Sequence, residues 1–468
     1  MITKLQQVGV GGNCLETLIS YLSERKQVVV VDGTKSEILS VNCGVPQGSR
    51  LGPLLFIIYI NDIINDIESD ILIFADDTSL FASAVDPAET AAILNRDLIK
   101  IATWADKWKV TFNAKKSKDI IFSNKILNNS PPLHFHDKQI ERVNSHKHLG
   151  LVLTSNLDWS SQVEQVCLKA NRKLAVLRTV RFLNRQTLDL LYKLTVRSII
   201  DYALPIYCNS LRQIELRRYE DIQYRSAKLV TGALHLTSKE KLNLELGWES
   251  LKCRANILGL NIFHKIHIKE TRPLVTKCMP EIDSKREHLL RSNGGYLSFK
   301  SYNSSFKKSF FPYYAKMWNA LEKESKSKNL QDFKIYTKDS MKPTRYKFYS
   351  RGSKLSNALL TRIRVGRSCL NQHKFVIGKI DSPECKCHFK EESPQHYFLD
   401  CFLYSLERQY LFDLIEHYIP NFKKLNKKCK LDIIMNGLER DNTEYFHLNT
   451  NLTLAVQLYI LKTKRFEQ

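Results

Sequence analysis

Two adjacent aspartates are the residues in this sequence with the clearest potential for chemistry. Asp76 and Asp77 stand between an apolar run, residues 71–75, and a β-favouring run, residues 78–83. This pattern predicts a buried β-hairpin with both acids at its tip. Because neighbouring carboxylates repel each other, each must be hydrated or paired with a cation such as Mg²⁺. Two such ions about 3.5–4 Å apart stabilise a displacement at phosphorus, and a hydrated Asp-Asp turn is the alternative interpretation.

A glycine-rich segment precedes the two acids. In "CGVPQGSRLGPLLF", Gly44 and Gly48 flank Pro46 and Gln47. Glycine lets a backbone approach a ligand closely, and the Gln47 amide can both donate and accept a hydrogen bond. Ser49 follows and can cap the apolar helix that the next residues predict. Without further context, an ordinary strand–loop–helix connection explains the same residues.

A second cluster of potential ligands lies near the other end of the chain. Cys385, Cys387, His396 and Cys401 follow the pattern C-x-C-x8-H-x4-C. Four nitrogen and sulfur ligands from one short segment suit tetrahedral Zn²⁺. His388 could compete as a ligand, and a chance cluster of reduced cysteines is the alternative.

Charge is unevenly distributed along the chain. The 468 residues have a net charge of +23, yet residues 1–90 carry 5 Lys and Arg against 12 Asp and Glu. The remaining residues carry 66 against 36. This distribution predicts cation binding by the acidic part and polyanion binding by the basic part. The basic residues intersperse predicted helices, among them Lys169, Arg172, Lys173, Arg178, Arg181 and Arg185.

The elements that must position these residues can be predicted in outline. Asp86 as N-cap and Pro87 as first residue begin a long amphipathic helix. Residues 28–31 and 38–41 predict a hairpin, and residues 119–123 predict a further strand. The order of helices and strands indicates an α+β fold in which helices cover one face of an antiparallel sheet.

The cysteine content and the hydropathy bear on localisation. Eleven scattered cysteines do not suggest a disulfide framework, which favours a reducing compartment. The start "MITKLQQVGVGG" lacks the apolar region of a signal peptide, and the longest apolar block is too short to span a bilayer. We therefore expect a nuclear or cytoplasmic protein that is not inserted in a membrane.

Taken together, two motifs carry a family resemblance. "GVPQGSRLGPLLFIIYINDI" followed by "FADDTSLFAS" resembles consecutive motifs of non-LTR (LINE-type, jockey/CR1-like) retrotransposon reverse transcriptases. The resemblance implies a partial polymerase palm, RNA-directed DNA polymerase activity, and partners that are an RNA template, a DNA primer or target, and deoxynucleotides. It implies two Mg²⁺ ions on Asp76 and Asp77. It also implies a nucleotide- and template-binding loop made of Gly44, Pro46, Gln47, Gly48 and Ser49.

Downstream motifs extend the resemblance. "FNAKKSKDIIFS" is similar to the motif whose lysine, here Lys116, acts near the leaving pyrophosphate. "SHKHLGLVL" resembles the primer-gripping turn, which implies a role for His148, Leu149 and Gly150. The basic helices that follow are then thumb-like, and the Cys/His cluster resembles the zinc knuckle of the same family. His388 departs from that pattern, in which glycine is usual.

The resemblance implies five regions. They are a partial palm, a palm–thumb junction with a helical thumb-like region, a poorly defined connector, a zinc-knuckle-like region and a C-terminal helical segment. These regions correspond to residues 1–123, 124–250, 251–365, 366–410 and 411–468.

One expected catalytic group has no counterpart in the sequence. Reverse transcriptases bring a third carboxylate from an upstream strand, and the 45 residues before Pro46 hold no such strand. Asp32, in a predicted hairpin turn, is a poor substitute. Finger, endonuclease and RNase H patterns are also not found, so we expect a chain truncated upstream whose activity stays open. The alternatives are a non-catalytic RNA- or DNA-binding remnant and a chain without a stable fold.

Overall fold

The computed structural model describes residues 1–46, 48–123, 130–268, 304–341, 351–438 and 445–466, together with positions 275, 278–280 and 296. Gln47 and most of the predicted linker at 124–132 lie outside the described residues. The chain divides into two compact units, Met1–Asp158 and Trp159–Gln468. Helices and small sheets occur together, which confirms the α+β class.

The first unit contains four α-helices and twelve short strands within its described residues. The helices are α1 Ile2–Gln7, α2 Gly12–Leu22, α3 Leu51–Ile60 and α4 Pro87–Trp108. The strands are β1 Lys26–Gln27, β2 Val30–Val31, β3 Thr34–Lys35, β4 Leu39–Ser40, β5 Asp70–Phe74, β6 Asp77–Phe81, β7 Lys118–Asp119, β8 His134–Phe135, β9 Lys138–Gln139, β10 Glu141–Arg142, β11 Ser145–His148 and β12 Leu151–Thr154.

The strands pair two by two. Antiparallel pairs join β1 to β4, β2 to β3, β5 to β6, β8 to β9 and β11 to β12, whereas β7 and β10 are parallel. This differs from the predicted continuous antiparallel sheet. The strand predicted at 119–123 is also shorter, because its partner β10 offers only Glu141 and Arg142 for pairing.

Helix α4 organises the core of the first unit. It begins as predicted, because Asp86 accepts a hydrogen bond from the Ala88 N–H at 2.9 Å and Pro87 is its first residue. Its buried face packs with the end of α3, the hairpin β5–β6 and the strand β8. The buried members of this core are Ile60, Ile63, Ala91, Ile101, Ala102, Leu133, Phe135 and Ile140.

Asp97 in α4 fixes the start of strand β5. Its side chain is fully buried and accepts hydrogen bonds from the backbone N–H groups of Glu68, at 3.0 and 3.1 Å, and of Ser69, at 2.7 Å. Burial alone would raise the pKa of Asp97, but these N–H donors outweigh burial and the pKa lies below its usual value. A carboxylate in the helix therefore holds the chain where it enters the acidic hairpin.

We predict that Asp97→Asn destabilises the first unit by about 1–3 kcal/mol, because an amide group cannot accept all of these hydrogen bonds. The folded-state pKa of Asp97 is depressed, so its contribution is present above the unfolded pKa of about 3.9 and is lost as the pH falls through the folded value. Urea unfolding from pH 7 to pH 3 should show a smaller acid dependence in the variant. An equal dependence in both proteins would contradict this role.

Lys4 ties helix α1 to the ends of α3 and α4. Its side chain is 3% exposed, and its ammonium group donates a hydrogen bond to Asp62 at 2.6 Å. It also lies 3.9, 4.6 and 4.7 Å from the ring centroids of Trp108, Trp104 and Tyr59. The buried charge is stabilised by one carboxylate and three aromatic faces.

The described residues of the second unit form helices joined by turns and loops, and they contain no strand apart from the bridge residue Tyr296. Its α-helices are α5 Ser160–Thr179, α6 Arg185–Tyr192, α7 Ser198–Asp201, α8 Leu204–Tyr207, α9 Gln213–Thr231, α10 Lys239–Leu246, α11 Leu251–His267, α12 Ser304–Lys308, α13 Phe310–Asn319, α14 Lys323–Lys326, α15 Leu330–Met341, α16 Lys354–Arg364, α17 Asn371–Val376, α18 Ser405–Tyr418, α19 Lys427–Asn436 and α20 Phe446–Lys462. None of the described helices combines the length and apolar character needed to cross a lipid bilayer.

Part of the predicted connector, residues 251–365, is well packed. Helices α11, α13 and α15 bury a common aromatic cluster, with Phe263, Tyr314, Trp318 and Phe333 at its centre. Residues 269–274, 276–277, 281–295, 297–303 and 342–350 of the connector lie outside the described residues.

Candidate active site and metal centre

Asp76 and Asp77 lie at the tip of a tight hairpin. In the β5–β6 pair Phe74 is opposite Asp77, so Ala75 and Asp76 form a two-residue turn. Ala75 has φ 52°, a left-handed conformation that narrows the turn. Both aspartates are exposed. The predicted hairpin therefore exists, and its two carboxylates face solvent from adjacent positions.

The prediction that this hairpin is buried is wrong for one of its faces. Ile71, Ile73 and Leu80 point into the core, whereas Phe74 on the outer face is 66% exposed. A two-stranded pair packed on one side leaves its other side open. Asp77 and Ser79 alternate with the core residues along β6 and lie on this outer face.

The predicted primer-gripping turn lies beside the acidic hairpin. Leu149 and Gly150, with φ 43° and 84°, form the two-residue turn between β11 and β12. His148 Nε2 lies 3.4 Å from the hydroxyl of Ser79. Because Ser79 shares a face of β6 with Asp77, the structure brings the turn and the acids to the same side of the unit. The sequence did not single out Ser79, whose partner is 69 residues away.

Ser49 bonds to described residues on both sides of it in the glycine-rich segment. Ser49 Oγ donates to the Pro46 carbonyl at 3.0 Å and accepts from the Gly52 N–H at 2.9 Å, which caps α3 as predicted. Gly44 and Gly48 have φ 75° and 82°, conformations that favour glycine. Helix α3 then shares the core with the acidic hairpin.

Two further candidates, Lys116 and Asp32, lie in turns of the first unit. Lys116 is exposed, and its backbone N–H bonds to the carbonyl of Asn113 at 3.0 Å in a turn before β7. No hydrogen bond or ion pair joins Lys116 to either aspartate in the described part of the chain. Asp32 has φ 48° and lies in the exposed turn between β2 and β3, as the sequence predicts.

The four predicted zinc ligands converge in the second unit. The ligand atoms of Cys385, Cys387, His396 and Cys401 all lie within 4.8 Å of one another. Cys387 Sγ lies 3.1 Å from His396 Nε2, and the sulfur atoms of Cys385 and Cys401 are 3.8 Å apart. Such spacing is compatible with a single ion bound by all four atoms.

Burial disfavours the charged forms of the side chains in this cluster. Burial raises the pKa of Cys385 to about 12, raises that of Cys401, and lowers that of His396. Neutral imidazole is the form that binds metals, and a divalent cation would offset the cost of burying thiolates. The chemistry of the donor set therefore fits Zn²⁺.

The loop that carries the first two cysteines is a tight turn. The Cys385 N–H bonds to the Phe389 carbonyl at 3.0 Å, and the His388 N–H bonds to the Cys385 carbonyl at 2.9 Å. His388 is 90% exposed, and its Nδ1 lies 3.2 Å from Glu384. It therefore lies outside the ligand cluster, and its φ of 64° explains why glycine suits this position.

We predict that His388→Gly stabilises the second unit by about 0.5–1 kcal/mol. Histidine is strained in the left-handed conformation, and glycine removes this strain. The greater conformational freedom of glycine in the unfolded chain offsets part of the gain in stability. The lost contact with Glu384 is exposed and contributes little. Chemical denaturation should show the gain, and destabilisation by the variant would mean that the turn is not strained.

A buried ion pair supports the ligand loop. Arg465 donates to both carboxylate oxygens of Glu392 at 2.5 Å, and both side chains are almost fully buried. Glu392 also accepts from the Asn371 N–H at 2.7 Å, and its own N–H bonds to the Pro383 carbonyl at 2.8 Å. The C-terminal segment thus fixes the stretch between Cys387 and His396.

The basic face predicted downstream is largely exposed. Helix α5 and the turn after it expose Lys169, Arg172, Lys173, Arg178 and Arg181. Arg185, which was grouped with them, is instead buried and pairs with Glu245 at 3.0 Å. The difference arises because Arg185 meets an acidic side chain 60 residues away, which spacing does not predict.

Comparison with known proteins identifies the class of the first unit. Residues 2–153 match the family described as reverse transcriptase (RNA-dependent DNA polymerase). This match nearly coincides with the first unit, which contains the acidic hairpin. The chain therefore contains a reverse transcriptase domain.

Curated relatives define the type of this domain. The chain is 28% identical over 227 residues to the RNA-directed DNA polymerase from mobile element jockey of Drosophila melanogaster, covering 46% of this chain and 24% of the relative. It is 28% identical over 242 residues to the probable RNA-directed DNA polymerase from transposon X-element of the same organism, covering 49% and 26%. Over the matched residues, the chain is similar to RNA-directed DNA polymerases of mobile elements. The chain spans about a quarter of the length of these relatives.

Proposed function

We propose that the first unit carries out RNA-directed DNA synthesis. A primer 3′-hydroxyl attacks the α-phosphorus of a deoxynucleotide, and pyrophosphate leaves. The observation that supports this proposal best is the exposed pair Asp76 and Asp77 in a tight turn, next to the β11–β12 turn. An exposed carboxylate pair on a rigid hairpin can accept hydrated Mg²⁺ without displacing a protein partner.

Each predicted site residue has a role in this proposal. Asp76 and Asp77 would hold Mg²⁺, with Asp76 as the principal ligand, and the metal would stabilise charge on the attacking and leaving oxygens. Lys116 would assist the leaving group, and the turn containing His148, Leu149 and Gly150 would hold the primer. The loop that binds nucleotide and template would comprise Gly44, Pro46, Gln47, Gly48 and Ser49.

The second unit would bind nucleic acid and a structural metal. We propose that Cys385, Cys387, His396 and Cys401 hold Zn²⁺ in a closed tetrahedral site, and that the exposed cations of α5 contact phosphates in a thumb-like manner. Both the RNA template and the DNA primer or target supply such phosphates. A nuclear or cytoplasmic location suits these partners.

A second candidate function is nucleic-acid binding without catalysis. It is favoured by the exposed basic face of α5. In this alternative the acidic hairpin would be a relic. The two functions differ in whether nucleotides are incorporated.

Primer extension distinguishes these functions. The purified chain, an RNA template, a DNA primer and deoxynucleotides should yield extended primer in Mg²⁺, and chelation should stop the reaction. Binding with a steep salt dependence but no extension would reject catalysis and favour the binding protein.

A further inference from the structure

Arg25 joins the end of helix α2 to the entrance of the glycine-rich loop. Its Nη2 donates to the carbonyl oxygens of Cys43 at 2.9 Å and Gly44 at 2.7 Å. Its Nε donates to the carbonyl of Leu22, the last residue of α2, at 3.2 Å. The Arg25 carbonyl also accepts from the Val41 N–H at 2.8 Å. One residue thus contacts both the helix end and the chain that enters the loop.

The electrostatics of Arg25 are unusual for a structural arginine. No carboxylate pairs with it in the ranges that the structure describes, and its guanidinium donates to three backbone carbonyls. Leu22 lies at the carbonyl end of α2, where the helix dipole favours a cation. The guanidinium is therefore held by oriented backbone dipoles, which belong to the end of α2 and to the start of the glycine-rich loop.

We infer that Arg25 is a positioning residue for the described residues of the glycine-rich loop, 44–46 and 48–49, an inference that rests on the proposed nucleotide-binding role of this loop. Nη2 of Arg25 donates to the carbonyl oxygens of both Cys43 and Gly44, so these two successive carbonyls converge on one nitrogen. Gly44 has φ 75° at this point, so the backbone turns sharply where Arg25 binds it. The guanidinium thereby sets the direction in which the loop leaves the hairpin.

This role predicts a local effect rather than general unfolding. Arg25 is only half-buried, so water can reach the three carbonyls when its side chain is removed. Lysine has a single ammonium group and cannot reproduce the fork that binds carbonyls in two directions. The loop should lose order while the core around α4, which Arg25 does not contact, keeps its stability.

The test compares the variants Arg25→Gln and Arg25→Lys with the control Lys26→Gln. Lys26 is a neighbouring exposed residue whose side chain makes no hydrogen bond in the described residues. Amide hydrogen exchange in peptides covering residues 43–52 should become about tenfold faster in both Arg25 variants and stay unchanged in the control. In primer extension, KM for deoxynucleotide should rise about 5–20-fold with kcat changed less than about threefold.

Two results would overturn the inference. One is unchanged exchange of the loop in Arg25→Gln, and the other is faster exchange with an unchanged KM. A melting temperature close to that of the wild type establishes that the variants are folded. If the wild-type chain extends no primer, the proposed function fails, but the exchange experiment still decides whether Arg25 orders the loop.

Discussion

Replacing Cys401 by serine is expected to abolish tight zinc binding and to lower the melting temperature of the second unit by about 10 °C. In small domains, a closed structural zinc site contributes about 10–16 kcal/mol of apparent binding free energy. A site with three ligands keeps only part of this free energy, and the loss lowers the melting temperature. Cys401 is fully buried and lies in the same apolar core as Tyr397 and Ile415. Loss of the ion would leave buried thiols and an imidazole at the centre of that core.

The matched control is Cys429→Ser, which alters an exposed cysteine of the same unit. It should keep the wild-type zinc content and melting temperature. Zinc can be measured by elemental analysis, and stability by calorimetry with and without a chelator. Equal zinc content in Cys401→Ser and wild type, or a chelator without effect on melting, would contradict the proposed metal site.

Replacing Asp76 by asparagine is expected to reduce primer extension by at least about 10³-fold. The substitution removes one negative charge from a site proposed to stabilise metal ions and the phosphate charge between them. Because Asp76 is exposed in a turn, the neutral side chain should leave the fold intact. The loss should therefore appear in kcat and kcat/KM, with an unchanged melting temperature.

Asp70→Asn provides the control, since Asp70 is an exposed acid at the opposite end of the same hairpin. It removes the same charge from the same strand pair and should keep wild-type extension. If Asp70→Asn and Asp76→Asn lose activity equally, the effect comes from general charge and not from a metal ligand.

Local sequence signals predicted the elements that local interactions determine. Asp86 and Pro87 predicted the start of α4, and the turn residues Leu149 and Gly150 form the expected tight hairpin. The ligand cluster was also predictable, because Cys385 and Cys401 belong to one short segment. In each case the residues that form the feature are close in sequence.

Features that depend on distant partners could not be predicted. Asp97 is one of many acids in the sequence, and only the folded chain brings it to the N–H groups of Glu68 and Ser69. Lys4 reaches its aromatic partners in the same way, 55 residues or more along the chain. Charge and periodicity do not distinguish such residues from exposed ones.

The acidic hairpin shows why burial was overestimated. An uninterrupted apolar run such as residues 71–75 favours a strand that is covered on both faces. Strand β5 is covered on one face only, so Leu72 and Phe74 are exposed although they resemble core residues. Pairing with β6 alone, which leaves the outer face open, could not be deduced from hydropathy.

If the acidic hairpin holds divalent ions against a nucleotide, as proposed, Asp76 and Asp77 should bind Mn²⁺. Electron paramagnetic resonance can count Mn²⁺ bound to the chain with a template, a primer lacking its 3′-hydroxyl and a deoxynucleotide. We expect bound Mn²⁺ in the wild type and in Asp70→Asn, and its loss when Asp76 and Asp77 are both replaced by asparagine. Equal Mn²⁺ binding in the wild type and the double variant would contradict it.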